Sequence, residues 1–126
     1  MSTEQVKVIY NPRDKIIIVN AIKYPTPETM RDSVKQIMEL RAIHNCESVL
    51  IDATRVKSLP SISNMHSFGT DLIKIPDLKN IRLVFAISDD ISDSFKFFDN
   101  VIHNRGINVH IFKDFGKAKD WLLKQL

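Results

Sequence analysis

The chain has 126 residues, of which 44% are hydrophobic and 26% charged, and its formal net charge is +3. This size and balance suit one globular domain, residues 1–126, with a core that needs no cofactor or structural metal. Lysine and arginine alternate with acids without a basic run, which argues against a nucleic-acid partner. The single cysteine, Cys46, excludes an internal disulfide, and no apolar stretch reaches the roughly twenty residues of a membrane span, so we expect a cytoplasmic protein.

The chain begins with two strand-forming runs and continues into a helix. Residues 5–10 and 15–21 are rich in Val and Ile and flank the turn-forming segment Asn-Pro-Arg-Asp at 11–14, which predicts a β-hairpin. Thr26 can cap a helix with its hydroxyl, Pro27 suits the first helical position, and Glu28 suits the positive end of the helix dipole. We therefore expect a helix over residues 28–44.

The segment 48–55 organises the rest of the chain. Its consecutive aliphatic residues end in a polar tip, Asp52 to Arg55, and predict a strand buried on both faces at the centre of a parallel sheet. After it, Pro60 interrupts regular structure and Ser61 can cap a second helix, which ends at Pro76.

The last third repeats the strand-helix pattern. Residues 81–87 predict a second buried strand, and Ile91 to Ile102 carry a helical repeat that continues to residue 104. Residues 107–112 alternate as an edge strand does, and Asp114 can cap a last helix. The predicted order is ββαβαβαβα, an α/β domain with a mixed central sheet flanked by helices.

Polar side chains follow the predicted parallel strands. Because ligands collect at the carboxyl ends of such strands, we expect one binding rim. Asp52 to Arg55, Ser88 to Asp90 and Lys113 should lie along this rim, and its candidate binding residues are Asp52, Thr54, Arg55, Ser88 and Asp89. Asp52 and Thr54 share a side of the extended chain, so their oxygens can bond the following loop while Arg55 faces away. Fixing the loop is one role for these residues, and recognition of an anionic group by Arg55 is the other.

Several of these features resemble a known family. The hairpin start, the strand at 49–56 and a second helix flanked by serines look like the STAS domain of anti-sigma-factor antagonists. The divergent STAS-like (SpoIIAA-like) group is more similar still, because its tail pattern is matched by Asn-Arg-Gly at 104–106, a strand, Phe-Lys-Asp at 112–114, and Ala118 to Leu122. The resemblance implies a single STAS-like domain, non-enzymatic, that regulates by binding a protein partner.

The resemblance also implies a phosphorylation switch at the start of the second helix. A kinase or an anti-sigma-like regulator would then be the partner, and a homodimer is a further arrangement to test. Where the family has Asp-Ser-Ser-Gly, this chain has Pro-Ser-Ile-Ser at 60–63, which places Ile62 at the acceptor position. Ser61, Ser63 and Ser58 are the candidate phospho-acceptors, and the alternative is that Ser61 serves only as a helix cap.

Two other functions compete with this interpretation. STAS-like domains resemble the CRAL-TRIO lipid-transfer fold, so methionines and phenylalanines could line a pocket for a small apolar ligand, although the same residues also suit an ordinary core. This set is Met30, Met38, Met65, Phe68, Phe95, Phe97 and Phe98. Asp52, Ser88 and Lys113 resemble the acceptor, hydroxyl and lysine of phospho-receivers, but the acidic pair that holds Mg²⁺ in receivers is missing.

Metal and nucleotide chemistry have weaker support. Asp89, Asp90 and Asp93 stand at the start of a predicted helix, where acids ordinarily complement the dipole. His and Cys residues lack zinc-site spacing, and no glycine-rich phosphate loop exists. The sequence therefore predicts no metal site and no cofactor.

Overall fold

The computed structural model describes residues 6–23, 26–57, 80–93, 95–96, 100 and 109–125. These residues form five strands: β1 (Val6–Asn11), β2 (Ile16–Ala21), β3 (Ser48–Ala53), β4 (Arg82–Ile87) and β5 (Val109–Phe112). Two α-helices have defined bounds, α1 (Pro27–His44) and α2 (Phe115–Leu123). A 3₁₀ turn, Asp89–Ile91, follows β4, and residues 92, 93, 95, 96 and 100 are helical. The predicted second helix and most of the helix predicted up to residue 104 lie outside the described residues.

The strands form one sheet in the order β1-β2-β3-β4-β5. β1 pairs with β2 antiparallel, and the three other pairs are parallel. This confirms the predicted mixed sheet, with β3 at its centre and β5 at its edge. Because β2 to β5 are parallel, their carboxyl ends lie at the same edge of the sheet.

The hairpin turn is held by its own side chains. Asn11 Oδ1 accepts hydrogen bonds from the backbone N–H groups of Arg13 and Asp14, at 3.0 and 3.1 Å. Lys15 then adopts a left-handed conformation, with φ of 59°, and its N–H donates to the Asn11 carbonyl at 2.7 Å. The turn thereby aligns Asn11 with Ile16, the first residue of β2.

Both ends of α1 are capped, and the cap at its start is the predicted one. The Thr26 hydroxyl oxygen accepts a hydrogen bond from the Thr29 N–H at 3.1 Å, which satisfies one free donor of the first turn. At the other end Asn45 is left-handed, with φ of 50°, and its N–H donates to the Arg41 carbonyl. α1 thus begins one residue before the predicted range and ends at the predicted residue, His44.

The core lies on both faces of the sheet. On one face, odd-numbered residues of β2 to β5 form a buried cluster against which α1 packs Ile37, Met38 and Leu40. The other face carries Ile16, Ile18, Leu50, Val84 and Ala86, covered by Ala118 and Leu122 of α2. Each fully buried Leu or Ile contributes about 1.5–3 kcal/mol to the free energy of unfolding. Strands that are apolar on both faces therefore occupy the middle of the sheet.

An ion pair joins the last helix to the hairpin turn. Lys119 Nζ of α2 lies 2.9 Å from Asp14 Oδ2, and both side chains are largely shielded from solvent. α2 thus spans its face of the sheet and contacts the turn between β1 and β2. No helix in the described part of the chain is long and apolar enough to cross a membrane.

Candidate functional site

The candidate site lies at the carboxyl ends of three neighbouring strands. We call this surface the carboxyl rim and define it as residues 52–57 at the end of β3 and just beyond it, residues 88–90 after β4, and Lys113 after β5. Parallel pairing aligns Ala53 with Ile87, so the loops after β3 and β4 start side by side. The structure therefore brings together the segments that the sequence assigns to one rim.

Asp52 and Thr54 fix the first loop. One carboxylate oxygen of Asp52, Oδ1, accepts from both the Thr54 N–H at 3.1 Å and the Thr54 hydroxyl at 2.7 Å. This is an Asx turn, in which a side chain replaces a backbone acceptor. The following residue, Arg55, is exposed and makes no hydrogen bond or ion pair with any residue that the structure describes. The loop thus holds the backbone of Arg55 in place while its guanidinium stays available.

A hydrogen bond ties the second loop to the first. The Ser88 hydroxyl donates to the Val56 carbonyl at 2.9 Å, and Val56 itself is buried. Beside this bond, Lys57 Nζ lies 3.5 Å from Asp90 Oδ2. The ion pair is exposed and contributes little energy, so the Ser88 bond is the main link between the two loops.

Lys113 directly follows β5 and connects this strand to the same surface. Its Nζ lies 3.5 Å from Asp89 Oδ1. Together with the pairs Lys57–Asp90 and Lys96–Asp93, this gives each acid of the predicted helix start its own lysine. In the described ranges, no group of three or more His, Cys, Asp or Glu side chains could hold a metal ion.

The receiver-like trio does not assemble in the described structure. Asp52 bonds Thr54, Ser88 bonds Val56, and Lys113 pairs with Asp89. None of the three hydrogen-bonds or pairs with another. A receiver needs its lysine and hydroxyl beside the acceptor carboxylate, whereas here Lys113 lies against a different acid.

The residues proposed for an apolar pocket divide into two groups. Phe95 is buried and packs on Phe85, with ring centroids 5.1 Å apart, and Met38 packs against the same cluster, so both belong to the core. Met30 of α1 is half-buried. Met65, Phe68, Phe97 and Phe98 lie outside the described residues, as do the candidate phospho-acceptors Ser58, Ser61 and Ser63.

Sequence reasoning missed two members of the rim. The Val56 carbonyl is an acceptor that any residue type could supply, so no sequence signal identifies it. Lys57 directly follows the polar tip of the strand, and its position was the available signal. Its pairing with Asp90 depends on how the two loops approach each other, which the sequence alone does not give.

The fold and the rim define a class of protein: a small α/β module that opens with a hairpin and continues with parallel strands in sequential order. No protein-family model matches the sequence, and no curated protein does. The structure is similar to the crystal structure of an uncharacterised protein of the DUF3478 family, with a SpoIIAA-like fold, from Shewanella loihica PV-4. The TM-score is 0.56 at 18% sequence identity, and the match covers 97% of this chain and 98% of that chain. The chain therefore has the SpoIIAA-like, STAS-like fold, which confirms the predicted fold.

Proposed function

We propose that the chain is a non-enzymatic, STAS-like interaction module that acts in the cytoplasm by binding a protein partner through the carboxyl rim. The observation that supports this proposal most directly is the state of Arg55. It is exposed on a loop fixed by Asp52 and Thr54, and it has no partner among the described residues. The other rim cations, Lys57 and Lys113, are already in ion pairs.

The loops of the rim are also held in place by their own contacts, which suits a surface that docks a partner. Its titratable groups hold the loops together instead of converging on one reacting point, since Asp52 bonds Thr54 and each lysine has its own acid. A surface whose loops are already fixed loses little conformational entropy on binding. The guanidinium of Arg55 can hold a partner carboxylate or phosphate through two parallel hydrogen bonds.

Serine phosphorylation would regulate this surface. Ser58 directly follows Lys57 in the chain, and Ser61 and Ser63 come within the next six positions. A phosphate on any of these serines adds close to two negative charges within eight positions of Arg55 in the chain, where we expect it to compete for Arg55 or repel an acidic partner. The STAS-like fold favours a kinase or an anti-sigma-like regulator as the partner. A second copy of the chain, which would form a homodimer, is the other candidate.

The test compares two variants with the same change in charge. Arg55→Glu alters the rim, whereas Lys7→Glu alters an exposed residue of the edge strand β1. Each variant and the wild type are used to capture proteins from cell extract, and the candidates are then purified and titrated against all three. We expect a partner whose affinity falls at least about tenfold with Arg55→Glu and stays unchanged with Lys7→Glu. Equal binding to all three proteins would contradict the proposal.

Intact mass spectrometry of the protein from its own cells tests the regulatory part. An added phosphate mapped to Ser58, Ser61 or Ser63 supports the switch, and an unmodified chain under all growth conditions contradicts it. A mass that is lost only on denaturation would identify a bound small molecule instead. Sedimentation of wild type and Arg55→Glu shows whether a dimer forms through the rim.

A further inference from the structure

A cleft of about 460 Å³ lies at the edge of the sheet opposite the carboxyl rim. Its walls come from four segments that are distant in sequence: the end of β1 with the hairpin turn, the end of α1 with the start of β3, the start of β4, and the residues just after α2. The lining residues that matter here are Lys15, Cys46, Glu47, Ser48, Arg82 and Gln125. Because these residues stand where strands begin, the cleft is separate from the rim.

The Ser48 hydroxyl is the first sign that this cleft takes a ligand. Ser48 is 1% exposed, and its Oγ has no hydrogen-bond partner among the residues that the structure describes. Buried hydroxyls are nearly always hydrogen-bonded, because a buried polar atom without a partner destabilises the fold. Ser48 also lines the cleft, so a ligand bound there can supply the missing partner once the Ser48 side chain rotates towards it.

The charges that line the cleft indicate what kind of ligand it takes. Lys15 and Arg82 form no ion pair within the described ranges, whereas Glu47 is paired with Arg41 at 3.7 Å. The C-terminal ends of α1 and α2 also approach the cleft, and each contributes roughly half a negative charge. Two unpaired cations outweigh these dipoles, so the cleft favours an anion.

Backbone contacts hold the walls in place. The Cys46 thiol donates to the Lys15 carbonyl at 3.3 Å and lies 3.5 Å from the Ser48 carbonyl. The Arg82 N–H donates to the Glu47 carbonyl at 2.7 Å, which joins the starts of β3 and β4. The cations and the hydroxyl are therefore carried by backbone whose position does not depend on a ligand.

We propose that this cleft binds a small organic oxyanion. Its carboxylate or phosphate group contacts Lys15 and Arg82, and one of its polar atoms hydrogen-bonds Ser48 Oγ. Arginine and lysine bind both kinds of oxyanion, so the shared chemistry is the negative oxygen and not one particular acid. The proposal does not rest on the proposed function, because the cleft and the rim lie at opposite edges of the sheet.

Titration with citrate and, separately, with pyrophosphate tests the proposal, with backbone amide NMR spectra as the readout. We expect at least one anion to shift the amides of residues 46–48 and 82 while those of the rim, residues 54–57, stay in place. A response to citrate alone identifies a carboxylate site, and a response to pyrophosphate alone identifies a phosphate site. No shift of these amides with either anion up to roughly 10 mM would overturn the proposal, since even a weak site has a Kd in this range.

Three variants make the test specific. Arg82→Gln removes one cation and should weaken binding at least about tenfold, whereas Arg55→Gln at the rim should not change it. Lys15→Gly removes the other cation at a left-handed position that glycine adopts readily, so this variant decides the matter if Arg82→Gln fails to fold. If Lys15→Gly or Arg82→Gln weakens binding no more than Arg55→Gln does, the anion is a general counterion and the proposal is wrong.

Discussion

Ser88 Oγ donates a 2.9 Å hydrogen bond to the backbone carbonyl of Val56, which lies 32 positions earlier in the chain. The bond links the loop after β4 to the loop after β3, at the point where the parallel pairing of the two strands ends. Val56 is 3% exposed, so water has little access to its carbonyl. The first two loops of the carboxyl rim are therefore joined before any partner arrives.

Ser88→Ala should lower the free energy of unfolding by about 1–2 kcal/mol, because it leaves the buried Val56 carbonyl without its donor. Urea denaturation followed by circular dichroism measures this change. Ser92→Ala is the matched control: the Ser92 hydroxyl bonds the Asp89 carbonyl at 3.2 Å in an exposed position, so its loss should cost less than about 0.5 kcal/mol. Equal effects of the two substitutions would contradict the importance of the Ser88 bond.

Asp52→Ala should destabilise the protein by about 1–2 kcal/mol, since the Thr54 N–H and hydroxyl both lose their acceptor. Asp52→Asn keeps an oxygen at the same place and should retain most of the stability. Thermal unfolding of the three proteins gives the comparison. If Asp52→Asn is as damaging as Asp52→Ala, the negative charge of Asp52 matters more than its geometry, and the Asx turn does not account for its role.

The ion pair between Lys119 and Asp14 should contribute about 0.5–1 kcal/mol to stability, more than a typical exposed pair. The side chains are 33% and 18% exposed, whereas those of Lys96 and Asp93 are 77% and 97% exposed. Double-mutant cycles with Lys119→Met and Asp14→Asn, and with Lys96→Met and Asp93→Asn, measure the two coupling energies. We expect a coupling close to zero for the second pair, and equal couplings would show that burial does not distinguish them.

The cap of α2 predicts that the effects of substitutions at positions 114 and 116 depend on each other. Asp114 Oδ1 accepts from the Lys117 N–H at 2.9 Å, so Asp114→Ala should cost about 1 kcal/mol. A Cβ at position 116 would lie 3.1 Å from the same oxygen. Gly116→Ala should therefore gain less than the full helix-propensity difference of about 1 kcal/mol in the wild type, and more of it in the Asp114→Ala background. Chemical denaturation of the four proteins measures both gains, and equal gains would exclude the crowding.

The elements with local causes were predictable from the sequence. Thr26 and Asn45 mark the two ends of α1. A capping residue forms a hydrogen bond with a residue three or four positions away, and this spacing is visible in the chain. The hairpin turn and the Asp114 cap follow the same logic. The helices predicted over Ser61 and beyond Ile91 stay predictions wherever they fall outside the described residues.

The contacts that complete each surface were not predictable. Lys113 pairs with Asp89 instead of Asp52, and Ser88 donates to a backbone carbonyl, because such choices depend on how separate loops approach one another. The cleft around Ser48 carries no sequence signal, since its lining comes from four segments and no motif joins them.

The sequence by itself determined the order of the elements, their caps and the edge of the sheet at which polar residues collect, because hydrophobic periodicity and local hydrogen bonds act over a few residues. Only the tertiary structure decided which polar groups find a partner among the described residues and which do not, as is the case for exposed Arg55 at the rim and for buried Ser48 beside the cleft. The physical reason is that a polar side chain takes whichever partner the folded backbone brings within about 3 Å, and that distance is set by strand pairing and loop packing across the whole domain.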